Sequence, residues 1–196
     1  MMKPRVWILL LFTLAAFGAA CASTPSKFYT LSPTAEPGGA TASYSVAVGP
    51  VSVPAMIDRP QMVVRVGENQ VGIDEFNRWA SPLQSDMARV VAENLAKILG
   101  TPLVSVFPQS TAAGASYRVL IDVMRFESAP GKSATLDAVW TVRRAKEGAS
   151  RAGRTTVSEP AADGNTAALV AAHSRALGRL SGEVAEAIRG LERGGK

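Results

Sequence analysis

The lone cysteine, Cys21, constrains this chain more than any other residue, because of what precedes it. Lys3 and Arg5 form a short basic start. An apolar run from Val6 to Ala16 follows and leads to the small residues Gly18, Ala19 and Ala20. This is the three-part layout of a secretory signal peptide, with an apolar run shorter than the roughly 20 residues of a comfortable membrane span. An uncleaved N-terminal anchor helix is the competing reading. A single cysteine excludes an internal disulfide framework and any zinc site built on paired thiolates. The single histidine leaves at most one imidazole for acid–base work.

The run Gly18-Ala19-Ala20-Cys21 resembles the lipobox of bacterial lipoproteins, with Gly at the position where Leu is commonest. The resemblance implies a signal peptide over residues 1–20 and a Cys21 that carries diacylglyceryl and N-acyl lipid; no other cofactor is expected. With about 0.8 kcal/mol for each buried CH₂, three acyl chains attach a protein to a bilayer effectively for good. The alternative role, a small buried apolar residue, fits poorly beside a cleavage-like run. Ala22, rather than Asp, follows the cysteine. In enteric-type bacteria that favours passage to the outer membrane.

Loss of residues 1–20 removes Lys3 and Arg5 and lowers the formal charge from +5 to +3. So mild an excess, with no cationic stripe interleaved with aromatics, gives no case for nucleic-acid binding. Residues 21–43 are rich in Ala, Ser, Thr, Pro and Gly and read as a lipidated tether, with a short strand near 28–31 where Phe28, Tyr29 and Leu31 interrupt it. A single domain is expected over 44–192, followed by a tail over 193–196.

Within that domain, Tyr44 to Val53 alternates around a Gly49-Pro50 break, the mark of a bulged strand. Met62–Val66 and Gln70–Asp74 flank a hairpin signal at Gly67-Glu68-Asn69. Ser81, Pro82 and Gln84 predict a capped helix start, Leu83 to Ile98 repeats at helical spacing, and Gly100 with Pro102 ends it. Leu103 to Phe107 reads as a strand and Pro108 to Ala115 as a loop. Tyr117–Phe126, Thr135–Val142 and Thr155–Ser158 alternate as an antiparallel meander, with a charged turn from Arg143 to Arg154. A second amphipathic helix covers about 166–191. The pattern predicts an α+β fold: a mixed, mostly antiparallel sheet with both helices packed on one face.

Chemistry is thinly supplied. No G-x-S-x-G elbow surrounds a serine, and no phosphate-cradling glycine motif occurs. Asp58, Asp74, Asp122 and Asp137 are scattered without metal-ligand spacing, so no metal is expected. His173 lies on the apolar face of the last helix, where a packed interfacial imidazole is the plainer reading. The cations Arg143, Arg144, Lys146, Arg151 and Arg154 are either a solvated hairpin tip or a contact for lipid phosphates or an acidic partner. Trp79 is equally an interface residue or an ordinary core residue.

Two runs carry a wider resemblance. Pro54, Ile57, Asp58, Arg59, Pro60 and Gln61 match a P-x-x-I/L-D-R-P-Q motif, and Arg78 to Leu83 reads RWASPL. With FYTL at 28–31, YRVLIDVMRFE at 117–127 and AHSRAL at 172–177, they make the chain resemble the ABC-type transport auxiliary lipoproteins, which include PqiC-like lipoproteins. The resemblance implies a non-enzymatic subunit lipid-anchored to the periplasmic face of the outer membrane. Its implied partner is an MCE-domain, PqiB-like periplasmic protein of a PqiABC-like system that moves lipid between membranes. It also implies a homo-oligomer, with a ring as one form. Asp58, Arg59, Arg78 and Trp79 are then the candidate partner-binding residues, although hydrogen bonding that merely orders the loop explains Asp58 and Arg59 as well. A second class of function is a lipid carrier with an acyl-chain cavity between sheet and helices. A third is an enzyme on envelope lipid or peptidoglycan, which would need carboxylates clustered near His173.

Overall fold

The computed structural model describes residues 24–39, 41–146 and 148–194. Cys21, the signal-peptide assignment and the end of the tail lie outside them. Among the described residues an eight-stranded mixed sheet carries two long helices. In chain order the elements are β1 (Lys27–Tyr29), β2 (Val46–Ser52), β3 (Gln61–Arg65), β4 (Val71–Trp79), α1 (Leu83–Leu99), β5 (Val104–Val106), β6 (Tyr117–Ala129), β7 (Ser133–Arg144), β8 (Ser150–Pro160) and α2 (Thr166–Gly194). A single 3₁₀ turn, Ser110–Ala112, lies in the expected loop after β5.

The expected meander is present: β6, β7 and β8 pair antiparallel in sequence. The β3–β4 hairpin is also antiparallel. Four shorter parallel ladders complete the sheet, joining β1 to β4, β2 to β5, and both β2 and β3 to β6. The sheet therefore forks. One edge of β6 is taken by β7, while its other edge is shared along its length. Its first half meets β2 (Tyr117 opposite Val46, Asp122 opposite Ser52), and its second half meets β3 (Ser128 opposite Val64). The pairing of β2 shifts register between Val48 and Val51, where Gly49 takes a φ of 114° that a side chain would strain. The sequence's Gly-Pro break is thus a bulge.

Both helices cover one face. α1 packs on β2 and β5, α2 on β7, β8 and β6, and the two touch each other. Val46, Val48, Val119, Leu136 and Val142 of the sheet meet Val90, Val91, Leu95, Leu180, Val184 and Ile188 of the helices in one core without exposure. Burial of each such side chain stabilises the fold by about 1.5–3 kcal/mol. On the opposite face the sheet keeps polar pairs. Arg154 donates to both Asp137 oxygens, at 2.8 and 2.7 Å, and with Thr156 holds that carboxyl down at about 2.

Several details depart from the sequence reading. No side chain caps α1: Pro82 itself stands at the cap, and the expected Ser81–Gln84 box does not form. Gly100 does end the helix in the left-handed conformation, with Gly100 and Thr101 donating to Lys97 and Ala96. β4 runs five residues beyond Asp74, and the charged turn shrinks because β8 already begins at Ser150. α2 gains a cap that the sequence reading did not identify, with Asn165 Oδ1 accepting from the Ala168 amide at 2.8 Å.

The segment expected as a tether up to residue 43, with a short docked strand near 28–31, is instead bonded into the domain well beyond that strand, from Lys27 onward. Asp86, buried on α1, accepts from the Leu31 amide at 2.8 Å and from Arg89. Asn94 Oδ1 accepts from the Thr34 and Ala35 amides, each at 3.0 Å, while its Nδ2 donates to Ser181 of α2. Ser174 accepts from the Ser32 amide at 3.1 Å. Gly38 and Ala42 then donate to carbonyls at the end of α1. Residues 30–39, 41 and 42 form a strap along the seam between the helices.

Candidate functional site

The β2–β3 connection is built to present two charged residues. A turn closes where the Ile57 amide donates to the Pro54 carbonyl, and Ile57 buries its side chain as an anchor. Asp58, Arg59 and Pro60 follow on the surface. The loop is held at its far end by the Trp79 amide, which donates to Pro60 at 2.7 Å. The Ala80 amide in turn donates to Tyr29 at 2.8 Å. β1, β4 and the loop therefore converge on one place, directly before α1.

There they enclose a notch of about 360 Å³ lined by Asp58, Arg59, Pro60, Trp79 and residues 80–83. Its lining is mainly apolar, with one carboxylate and one guanidinium. Three of the four candidate residues, Asp58, Arg59 and Trp79, meet here although some twenty positions separate them in sequence. Arg78 does not join them. It alternates with Trp79 along β4, and its guanidinium folds back on the Glu75 carbonyl at 2.9 Å.

Neither Asp58 nor Arg59 has a hydrogen-bond or ion-pair partner among the described residues. Their charges do not order the loop; backbone bonds and Ile57 do. Trp79 is only 7% exposed and tilts onto Phe126 at 6.1 Å between ring centres, so it is a wall of the notch and a core residue together.

Behind Trp79 the aromatic packing continues inward. Phe126 stacks on His173 at 3.6 Å, and His173 Nε2 pairs with Ser128 Oγ at 2.8 Å. The imidazole is fully buried, which lowers its pKa to about 3 and keeps it neutral. Nδ1 has no partner. Among the described residues the partners of this histidine are thus a ring and a hydroxyl, with no carboxylate bonded to it to orient it as a base. Among the described residues no group of three or more His, Cys, Asp and Glu side chains is placed to hold a metal.

The basic turn disperses in three dimensions. Arg154 is committed to Asp137, and Arg144 lies 3.4 Å from Glu192 and over the Tyr117 ring. Burial and the Glu192 carboxylate push the Tyr117 hydroxyl up to about 12. A larger hollow of about 680 Å³ between α2 and β8 is lined by Arg151, Arg179 and Arg193 together with Glu183 and Glu186. Three of those charges are engaged by residues beside the hollow, Arg179 by Glu159, Glu186 by Arg189 and Glu183 by Thr155, whereas Asp58 and Arg59 of the notch have no such partner among the described residues. Among the described residues no helix is long and apolar enough to cross a membrane.

Comparison with known proteins places this architecture. No curated protein matches the chain. A crystal structure of a Xanthomonas campestris protein of the DUF330 family superposes with a TM-score of 0.70 at 22% identity, covering 87% of this chain and all of that one. A second crystal structure, of an uncharacterized protein, reaches 0.69 at 18% identity over 84% and 99% of the two chains. At these identities the likeness is one of fold. A family model described as the ABC-type transport auxiliary lipoprotein component matches residues 29–185, from the first strand well into the last helix, and the chain belongs to that family.

Proposed function

We propose that this protein is a docking subunit, not an enzyme, of an MCE-type, PqiABC-like system that moves lipid between membranes. Cys21 carries the diacylglyceryl and N-acyl chains and fixes the domain to the periplasmic face of the outer membrane. The notch of Asp58, Arg59 and Trp79 receives the MCE-domain partner, with several copies of the chain assembled around it, as a ring or another closed homo-oligomer. One observation carries the reading. Two motif runs distant in sequence meet at one apolar notch, and its two charges have no partner among the described residues. An unpaired Asp–Arg couple on a small apolar patch suits a polar contact to another protein better than catalysis.

The carrier alternative needs a cavity for an acyl chain between sheet and helices. That space is occupied by Val, Leu and Ile side chains at or near zero exposure, which weighs against it.

Co-purification of the MCE-domain partner from detergent-solubilised envelopes tests the assignment. Asp58→Ala and Arg59→Ala touch only exposed side chains, so both variants should fold as the parent does. Each should retain roughly tenfold less partner, the range expected for loss of one well-placed charged contact of about 1.4 kcal/mol. Parental retention by both folded variants would remove the notch from the interface.

A further inference from the structure

We infer that the protein rests on the bilayer through the β3–β4 end of its sheet, with exposed apolar side chains of β1, β4 and the hairpin tip seated among the lipid headgroups. The inference rests on the reading of Cys21 as the lipidated residue.

Its first support is the direction of the chain. β1 runs parallel to β4 with Lys27 opposite Asn77, so the segment entering β1 comes from the side on which β4 begins. Six residue steps separate Cys21 from Lys27. At most they span about 20 Å. Along β4, Val71 also precedes Asn77 by six residues, about 20 Å at a strand's rise. A fully extended lead-in therefore brings the anchor level with Val71, and any slacker path brings the bilayer closer still. The strap adds no reach, because it lies after β1 and is bonded to the helices.

The second support is what stands on that end. Phe28 is 65% exposed and Val66 58%, while Val71, Ile73 and Phe76 are each 47% exposed. The pairing shows which way the strand residues point. Met62 is buried beneath the helices and stands opposite Asp74, so Ile73 and Val71, which pair with Val63 and Arg65, face away from the helices. Phe28 likewise alternates with Tyr29, which packs on the core. Large apolar groups left in water on an end held within about 20 Å of lipid gain by insertion at the interface, roughly in proportion to the area they bury.

Two cations match the headgroup phosphates. Lys27 adjoins Phe28, and Lys132 of the β6–β7 turn shares a surface hollow with Val66. Neither has an ion-pair partner among the described residues. A second copy of the chain is the rival occupant, but it would have to displace a bilayer that the lipid holds in place.

The test uses the full lipidated chain in vesicles of phosphatidylethanolamine and phosphatidylglycerol. With Cys21 acylated, Ile73→Cys, Phe76→Cys and, on the outer side of α2, Glu186→Cys each supply one thiol for an environment-sensitive fluorophore. The labels at 73 and 76 should shift to the blue and be quenched several-fold more strongly by lipids bearing nitroxides near the headgroup than the label at 186. Labels at 73 and 76 that remain in water while the protein floats with the vesicles would overturn the inference. So would shielding that persists in detergent and grows with protein concentration, since that assigns the surface to a second copy. A chain that neither floats nor carries acyl mass on Cys21 would instead defeat the anchor itself, and the inference with it.

Discussion

His173 is a neutral group in a place where a charge would be ruinous. Its folded pKa lies near 3 because burial disfavours the imidazolium, whereas an unfolded chain protonates near 6.5. Between those values the unfolded state binds more protons, so stability rises with pH across the window and is fully present above about 6.5. Acidification from pH 6.5 to 5.5 should therefore cost the native state up to about 1.4 kcal/mol through this residue alone. His173→Phe keeps a ring against Phe126 but cannot titrate. Urea midpoints compared at pH 7 and pH 5 should fall less in the variant than in the parent; equal slopes would show that the site does not contribute. Periodicity alone placed this histidine on the apolar face of its helix. Its partners Phe126 and Ser128 escaped, because they stand on a strand some 45 positions earlier and nothing local marks them.

Elements were legible where their own side chains set the pattern. Alternation along β6 and β7 and the helical spacing of Leu83 to Leu99 come from burial of one face, which composition records directly. The strap was not legible, for a physical reason. Its bonds run from its backbone amides to Asp86, Asn94 and Ser174, so the information lies in the helices while the strap keeps the Ala-Ser-Thr-Pro-Gly composition of a linker. Two glycines on α2 test how tightly it is seated. A Cβ at Gly178 would press on Thr34 Oγ1 of the strap, whereas one at Gly182 would meet nothing within 4 Å. Gly182→Ala should stabilise the protein by about 0.5–1 kcal/mol, the gain of Ala over Gly in a helix. Gly178→Ala should instead lose about 1–3 kcal/mol by overpacking and speed amide exchange at residues 31–35. Equal behaviour of the two in chemical unfolding would show that the strap lifts at little cost.

At the scale of the molecule, the sequence suggested a mixed sheet but not its fork, since sharing one strand's edge between two others leaves no local mark. Likewise the candidate site was half legible: the motif runs named Asp58, Arg59 and Trp79, but the alternation of β4 that turns Arg78 away becomes decisive only once Trp79 is known to face inward. The fork explains why the notch lies where it does. β2 and β3 follow each other along the same edge of β6, both parallel to it, so residues 53–60 are an excursion between two halves of what is in effect one strand. Both ends of the excursion are fixed by pairing that does not depend on its content.

Such a segment behaves as an exchangeable cartridge. Changes to its length or charges leave the register on β6 in place, since doubling a flexible loop costs only about 0.6 kcal/mol. Replacing Ala55, Met56, Asp58 and Arg59 together, with Pro54 and Ile57 kept, should leave the unfolding midpoint nearly unchanged while partner retention falls; a lowered midpoint would show that the loop's content does hold the frame. The frame would then stand as a constant, with recognition confined to six residues.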